Sequence, residues 1–129
     1  MIIKFFRSRI KSIGYALSGW WYVIRTQQNA WVHALASVLA VLFSAWLQIT
    51  RIEWVLIIIA IAIVWTAEFL NTALEVVVDL ATKEQHPLAK VSKDVGAAAV
   101  LIASLTAVLI GVIILGPPLI DKLIVLINP

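Results

Sequence analysis

The sequence predicts an all-α membrane protein: an N-terminal amphipathic surface helix followed by three transmembrane helices. Three observations carry that expectation. The 129 residues are 63% hydrophobic and only 13% charged, against roughly 45–50% apolar content in soluble domains. Mean hydropathy is +1.04. Three apolar stretches also have the length of about 20 residues that crosses a bilayer, in a chain too short to hide so much apolar surface in a core of its own. One integral-membrane domain over residues 1–129 is expected. The chain has no cysteine, so disulfides, thiolate zinc sites and thiol nucleophiles are excluded.

Residues 1–26 place Ile3, Phe6, Ile10, Ile13, Leu17, Trp20 and Ile24 at steps of three and four, which is one helical stripe. Lys4, Arg7, Arg9 and Lys11 lie off it, and Trp20, Trp21 and Tyr22 suit the headgroup level. A surface helix follows. A cleaved signal peptide is the competing reading, opposed by the long basic region, the scattered charges and the lack of a small-residue cleavage site. The net charge is +3, yet the basic residues cluster here among aromatic and aliphatic ones. Anionic lipid headgroups are the expected partner, and nucleic acid is not.

The first span is expected at about 31–49, with His33 its only titratable residue. His33 reads as a satisfied histidine at a helix entrance. A short connector, 50–53, turns the chain into a second span, 54–79, whose first half is plain aliphatic and whose second half is polar. A polar connector, 81–93, is punctuated by Pro87 and leads to a third span, 95–115, that opens with small residues able to pack closely. Gly116, Pro117 and Pro118 should stop that helix. The tail 116–129 should lie along the outer surface. Basic residues weigh toward the N-terminus and the 81–93 connector, so both are expected on the cytoplasmic side of a prokaryotic inner (plasma) membrane.

At about 100° per residue, Glu68, Glu75 and Asp79 fall within about 20° of one line on the second span, with Asn71 roughly 60° to the side. Carboxylates in a membrane helix are costly and by default face a bundle interior or a wet cleft. Structural pairing with Lys90, Lys93 or Arg25 is the plain reading, but three acids on one line outnumber what a helix pair needs. A divalent metal with a bound polyphosphate would satisfy them: acids near the surface can hold Mg²⁺, lysines can offset phosphate charge, and a deeper carboxylate can take a proton from a lipid hydroxyl. A channel or proton-coupled carrier subunit is the alternative. An ion path should continue across the membrane, whereas residues 54–64 are almost wholly apolar.

The runs EFLNTALEVVVD (68–79) and AKVSKDVGAAAVLIAS (89–104) strongly resemble the prokaryotic integral-membrane diacylglycerol kinase and undecaprenol kinase family. The resemblance covers roughly residues 8–115. It implies a domain-swapped homotrimer that transfers the γ-phosphate of ATP to a lipid alcohol without a glycine-rich loop. By motif position it implies Glu68 as catalytic base, Asn71 and Glu75 as contacts to nucleotide and metal, and Asp79, Lys93 and Asp94 as charges around the phosphates. Tyr15 would lie beside the adenine. Gln27 stands where relatives often carry a metal-binding glutamate, which weakens a second Mg²⁺ position, and Ser8 and Ala16 do not carry over nucleotide contacts. The resemblance leaves the choice of lipid open. Of the six Trp residues, Trp65 alone lies away from a span end and is expected to line a lipid-substrate groove.

Overall fold

The computed structural model describes residues 2–127, with side chains from Phe6 onward. Four helices follow in order: α1 (Ile2–Thr26), α2 (Gln28–Leu47), α3 (Arg51–Ala81) and α4 (Pro87–Ile127). No strand occurs among the described residues. The last three helices are long and apolar enough to cross a membrane. Only 17%, 28% and 17% of their apolar windows is buried within the chain, so most of that surface must be covered by lipid or by protein.

Two compact units can be distinguished, Met1–Val32 and His33–Pro129. In the first, α1 leaves Phe6, Ile10, Ile13, Leu17 and Trp20 exposed, and the Arg25 guanidinium lies 4.7 Å from the centre of the Trp21 ring. In the second, α3 packs along α4. Ile57, Ala60 and Val64 from α3 and Val100, Ala103 and Ile114 from α4 are buried there.

The helix boundaries differ from expectation for local reasons. The first connector is confined to residues 48–50, because Thr50 N-caps α3: its hydroxyl accepts from the Glu53 N–H while Glu53 Oε2 accepts from the Thr50 N–H at 2.7 Å. This reciprocal box satisfies two donors that a helix start otherwise leaves open. On the other side, α2 is followed by a residue with φ of 55°, Gln48. The Ile49 and Gln48 N–H groups turn back to the Ser44 and Ala45 carbonyls, the closure usually made with glycine or asparagine.

The second connector shrinks to residues 82–86. Pro87 opens α4 instead of punctuating a longer loop, since a first-turn position needs no N–H. His86 acts as its cap, with Nδ1 accepting from the Leu88 N–H at 3.2 Å.

The expected stop at Gly116, Pro117 and Pro118 does not occur, and the tail 119–127 is helical rather than a separate surface segment; residues 128–129 lie outside the described residues. The two prolines forfeit hydrogen bonds but hold a helical φ, and such losses are tolerated in membrane helices when neighbours compensate. The extension also has an anchor outside its own helix. Lys122 Nζ donates to the Trp46 carbonyl at 2.5 Å and sits 4.6 Å over its ring, joining the extension of α4 to a carbonyl that the end of α2 leaves unpaired.

Candidate functional site

The polar half of α3 is graded in burial. Glu68 is 1% exposed, Asn71 9% and Thr72 2%, whereas the Asp79 side chain is 64% exposed. Glu75 lies between them, half-buried. The expected order of a deep Glu68 and more accessible Glu75 and Asp79 is therefore present in the burial.

Glu68 turns toward α2. Its Oε2 lies 3.6 Å from His33 Nε2, and neither carboxylate oxygen nor that ring nitrogen has a hydrogen-bond partner. His33 is thus not the satisfied histidine expected from the sequence. Thr72, one turn on, spends its hydroxyl on the Glu68 carbonyl at 2.9 Å, so it offers nothing to the carboxylate. Trp65 does not line a lipid groove. It is 8% exposed and its indole N–H donates to Ser37 Oγ at 3.2 Å, because a buried indole needs an acceptor and α2 supplies one.

Asn71 and Glu75 form the next layer. The Asn71 amide donates to Glu75 Oε1 at 3.1 Å, while its own Oδ1 is buried without a partner. That oxygen lies against Gly96 of α4 so closely that a Cβ there would collide with it. Gly96 therefore serves a contact within the chain. Beside this point an apolar groove of about 720 Å³ runs between α3 and α4, lined by Ile63, Ala67, Leu70, Leu74, Gly96 and Ala99 among others.

At the connector end, Lys93 Nζ meets Asp79 Oδ1 at 2.6 Å and Lys90 Nζ meets Asp94 Oδ2 at 2.7 Å. Both pairs border an open groove of about 940 Å³ that also takes in Lys83 and His86. The structural pairing weighed against function in the sequence is real at Asp79 and absent at Glu68. Among the described residues no three His, Cys, Asp or Glu side chains gather as a metal site.

Tyr15 and Gln27 belong to the other unit. Tyr15 is 74% exposed on α1. Gln27 is the one residue between α1 and α2, its N–H bonded to the Val23 carbonyl at 2.9 Å. The residue that sequence reasoning undervalued is His33, although one signal was available: it is the sole titratable side chain of α2.

Helices of membrane-crossing length that bury a carboxylate accepting no hydrogen bond, with paired charges at one end, define an integral-membrane protein with an ionisable group held in its interior. The chain belongs to the prokaryotic diacylglycerol kinase family, whose model matches residues 14–115. It is 38% identical over 109 residues to the undecaprenol kinase of Bacillus subtilis (strain 168), covering 84% of this chain and 89% of the relative. It is 38% identical over 113 residues to the diacylglycerol kinase of Escherichia coli (strain K12), covering 82% and 87%. A diacylglycerol kinase of Synechocystis sp. is 37% identical over 114 residues, covering 88% of this chain and 65% of that longer relative. Family membership makes the chain a lipid kinase and displaces the channel alternative.

Proposed function

We propose that this protein transfers the γ-phosphate of ATP to the hydroxyl of a membrane lipid alcohol, a diacylglycerol or a polyprenol, with Glu68 as general base. The observation that carries the reading is a fully buried carboxylate whose two oxygens accept no hydrogen bond, in a family of lipid kinases. Such a group keeps its lone pairs for an incoming hydroxyl proton. The proton passes to Glu68 as the lipid oxygen bonds to the γ-phosphorus, and the bond from that phosphorus to the β–γ bridging oxygen breaks to release ADP.

The rest of the site divides the remaining work. The groove beside Asn71 receives the apolar body of the lipid, which both candidate substrates possess. Lys93 and Lys90, held by Asp79 and Asp94, offset phosphate charge at the other groove. Tyr15 stacks beside the adenine. Mg²⁺ would be held by Glu75, a second Mg²⁺ position would involve Gln27 more weakly, and the ion when bound would neutralise phosphate charge. The protein works as a homotrimer in a prokaryotic plasma membrane, with its N-terminus and the connector 82–86 on the cytoplasmic side where ATP is available.

The test is transfer of radiolabel from γ-labelled ATP in mixed micelles that offer diacylglycerol, undecaprenol and ceramide separately. Label is expected in diacylglycerol, undecaprenol or both. Label in none of the three lipids would overturn the reading, and label in ceramide alone would overturn the substrate class.

A further inference from the structure

We propose that His33 is the positioning residue for Glu68: from α2, its imidazole pins one carboxylate oxygen and leaves the other for the substrate hydroxyl. This inference rests on the reading of Glu68 as general base. Two buried polar groups face each other here, His33 Nε2 and Glu68 Oε2, 3.6 Å apart and each without a hydrogen-bond partner. A small rotation of either side chain closes that gap to hydrogen-bond length. The pairing is also the one the surroundings permit. His33 is the sole titratable residue in α2, Glu68 the sole one in α3 between Glu53 and Glu75, and α4 has none between Asp94 and Asp121.

The neighbourhood holds the ring at the carboxylate. The imidazole stands edge-on to Trp65, with ring centres 6.4 Å apart and planes at 71°. Trp65 donates to Ser37 Oγ at 3.2 Å, and the Ser37 hydroxyl donates to the His33 carbonyl at 2.7 Å. Trp65 and Glu68 are three residues apart on one face of α3, as His33 and Ser37 are four apart on α2. The turn of α2 that carries His33 is therefore tied to the turn of α3 that carries Glu68. A residue whose role was packing alone would not need this register to bring its ring nitrogen to a carboxylate.

Steady-state transfer kinetics of the full-length protein in micelles test the assignment, with wild type, Glu68→Gln, His33→Leu and His33→Gln compared. His33→Leu should lower kcat roughly 10- to 100-fold, the loss expected of a misplaced reacting group, with KM for ATP unchanged. His33→Gln, whose amide N–H can still donate, should recover most of that loss. Independently of turnover, nitrogen NMR of ¹⁵N-histidine-labelled protein should show the His33 ring resonance moving in Glu68→Gln, with His86→Asn used to assign the two histidines. An unchanged kcat in His33→Leu, a loss confined to KM, or no recovery in His33→Gln would overturn the role while an inactive Glu68→Gln leaves the base reading intact. If His33→Leu does not fold, the NMR comparison decides, and a resonance indifferent to Glu68→Gln overturns it. An active Glu68→Gln removes the base reading and this role with it.

Discussion

Glu68 and Glu75 sit seven residues apart on one helix, about 10 Å along its axis, yet their environments separate their roles. Glu68 is buried and its oxygens accept no hydrogen bond, which suits proton abstraction, and Glu68→Gln should lower turnover by at least the roughly 10²- to 10⁴-fold typical of a lost general base. Assembly and ATP binding should survive, as judged by gel filtration and nucleotide titration; near-normal turnover would remove the assignment. Glu75 is half-buried and already engages Asn71. If it ligates the Mg²⁺ of the nucleotide, Glu75→Gln should weaken apparent Mg·ATP binding as well as rate, with partial recovery in raised Mg²⁺ or in Mn²⁺. Metal and nucleotide dependence identical to wild type would contradict that role.

The elements are held in register by contacts that a helix pattern does not encode. Gly96 lets α4 approach α3 until it touches Asn71 Oδ1, so Gly96→Ala should rotate the Asn71 side chain away from Glu75 or push the helices apart. Overpacking of this kind costs about 1–3 kcal/mol. The expected result is a weaker apparent ATP affinity and a lower inactivation temperature, and a variant unchanged in both would show that the two helices do not approach this closely. At the far end of α4, Lys122 caps α2 through the Trp46 carbonyl and ring. Lys122→Ala should lower thermal stability in detergent by about 1 kcal/mol while leaving kcat unchanged, because Lys122 is remote in the chain from every proposed site residue. A drop in kcat without a drop in stability would give the α4 extension a different purpose.

At the scale of the whole molecule, apolar surface left uncovered by the chain itself is to be covered by lipid or by neighbouring copies. A trimer with shared sites would cover part of it. Tyr15 and Glu68, in different units of the chain, would then come from different protomers. Co-assembly of a Glu68→Gln protomer with a Tyr15→Ala protomer should restore part of the activity that neither parent shows, because some composite sites hold both intact residues. Mixed assembly verified by cross-linking but without any restoration would favour sites built within single protomers.

The number and type of the elements were legible in the sequence because hydrophobic length and the 3.6-residue period are local properties: all three spans and the surface helix fall where their apolar stretches fall. So was the polar line Glu68, Asn71, Glu75, Asp79, since residues on one helix share a face by arithmetic. What bounds those helices was less legible. Pro87 and Pro117 are the same residue type with opposite outcomes, one opening a helix where no N–H is needed and the other lying within one, because a proline's own preference does not decide whether the surrounding helix continues. The partners of Glu68 and Asp79 were decided by tertiary structure alone, whereas Glu53, Glu75 and Asp94 meet groups three or four residues away. Asp79 reaches a lysine 14 residues away on α4, and Glu68 faces a histidine 35 residues earlier on α2. A sequence period specifies the direction in which a side chain leaves its own helix, but the group that meets it depends on how far the neighbouring helix slides along the first. That slide is set by the contacts of Trp65 with Ser37 and of Gly96 with Asn71, which exist only once the helices have packed.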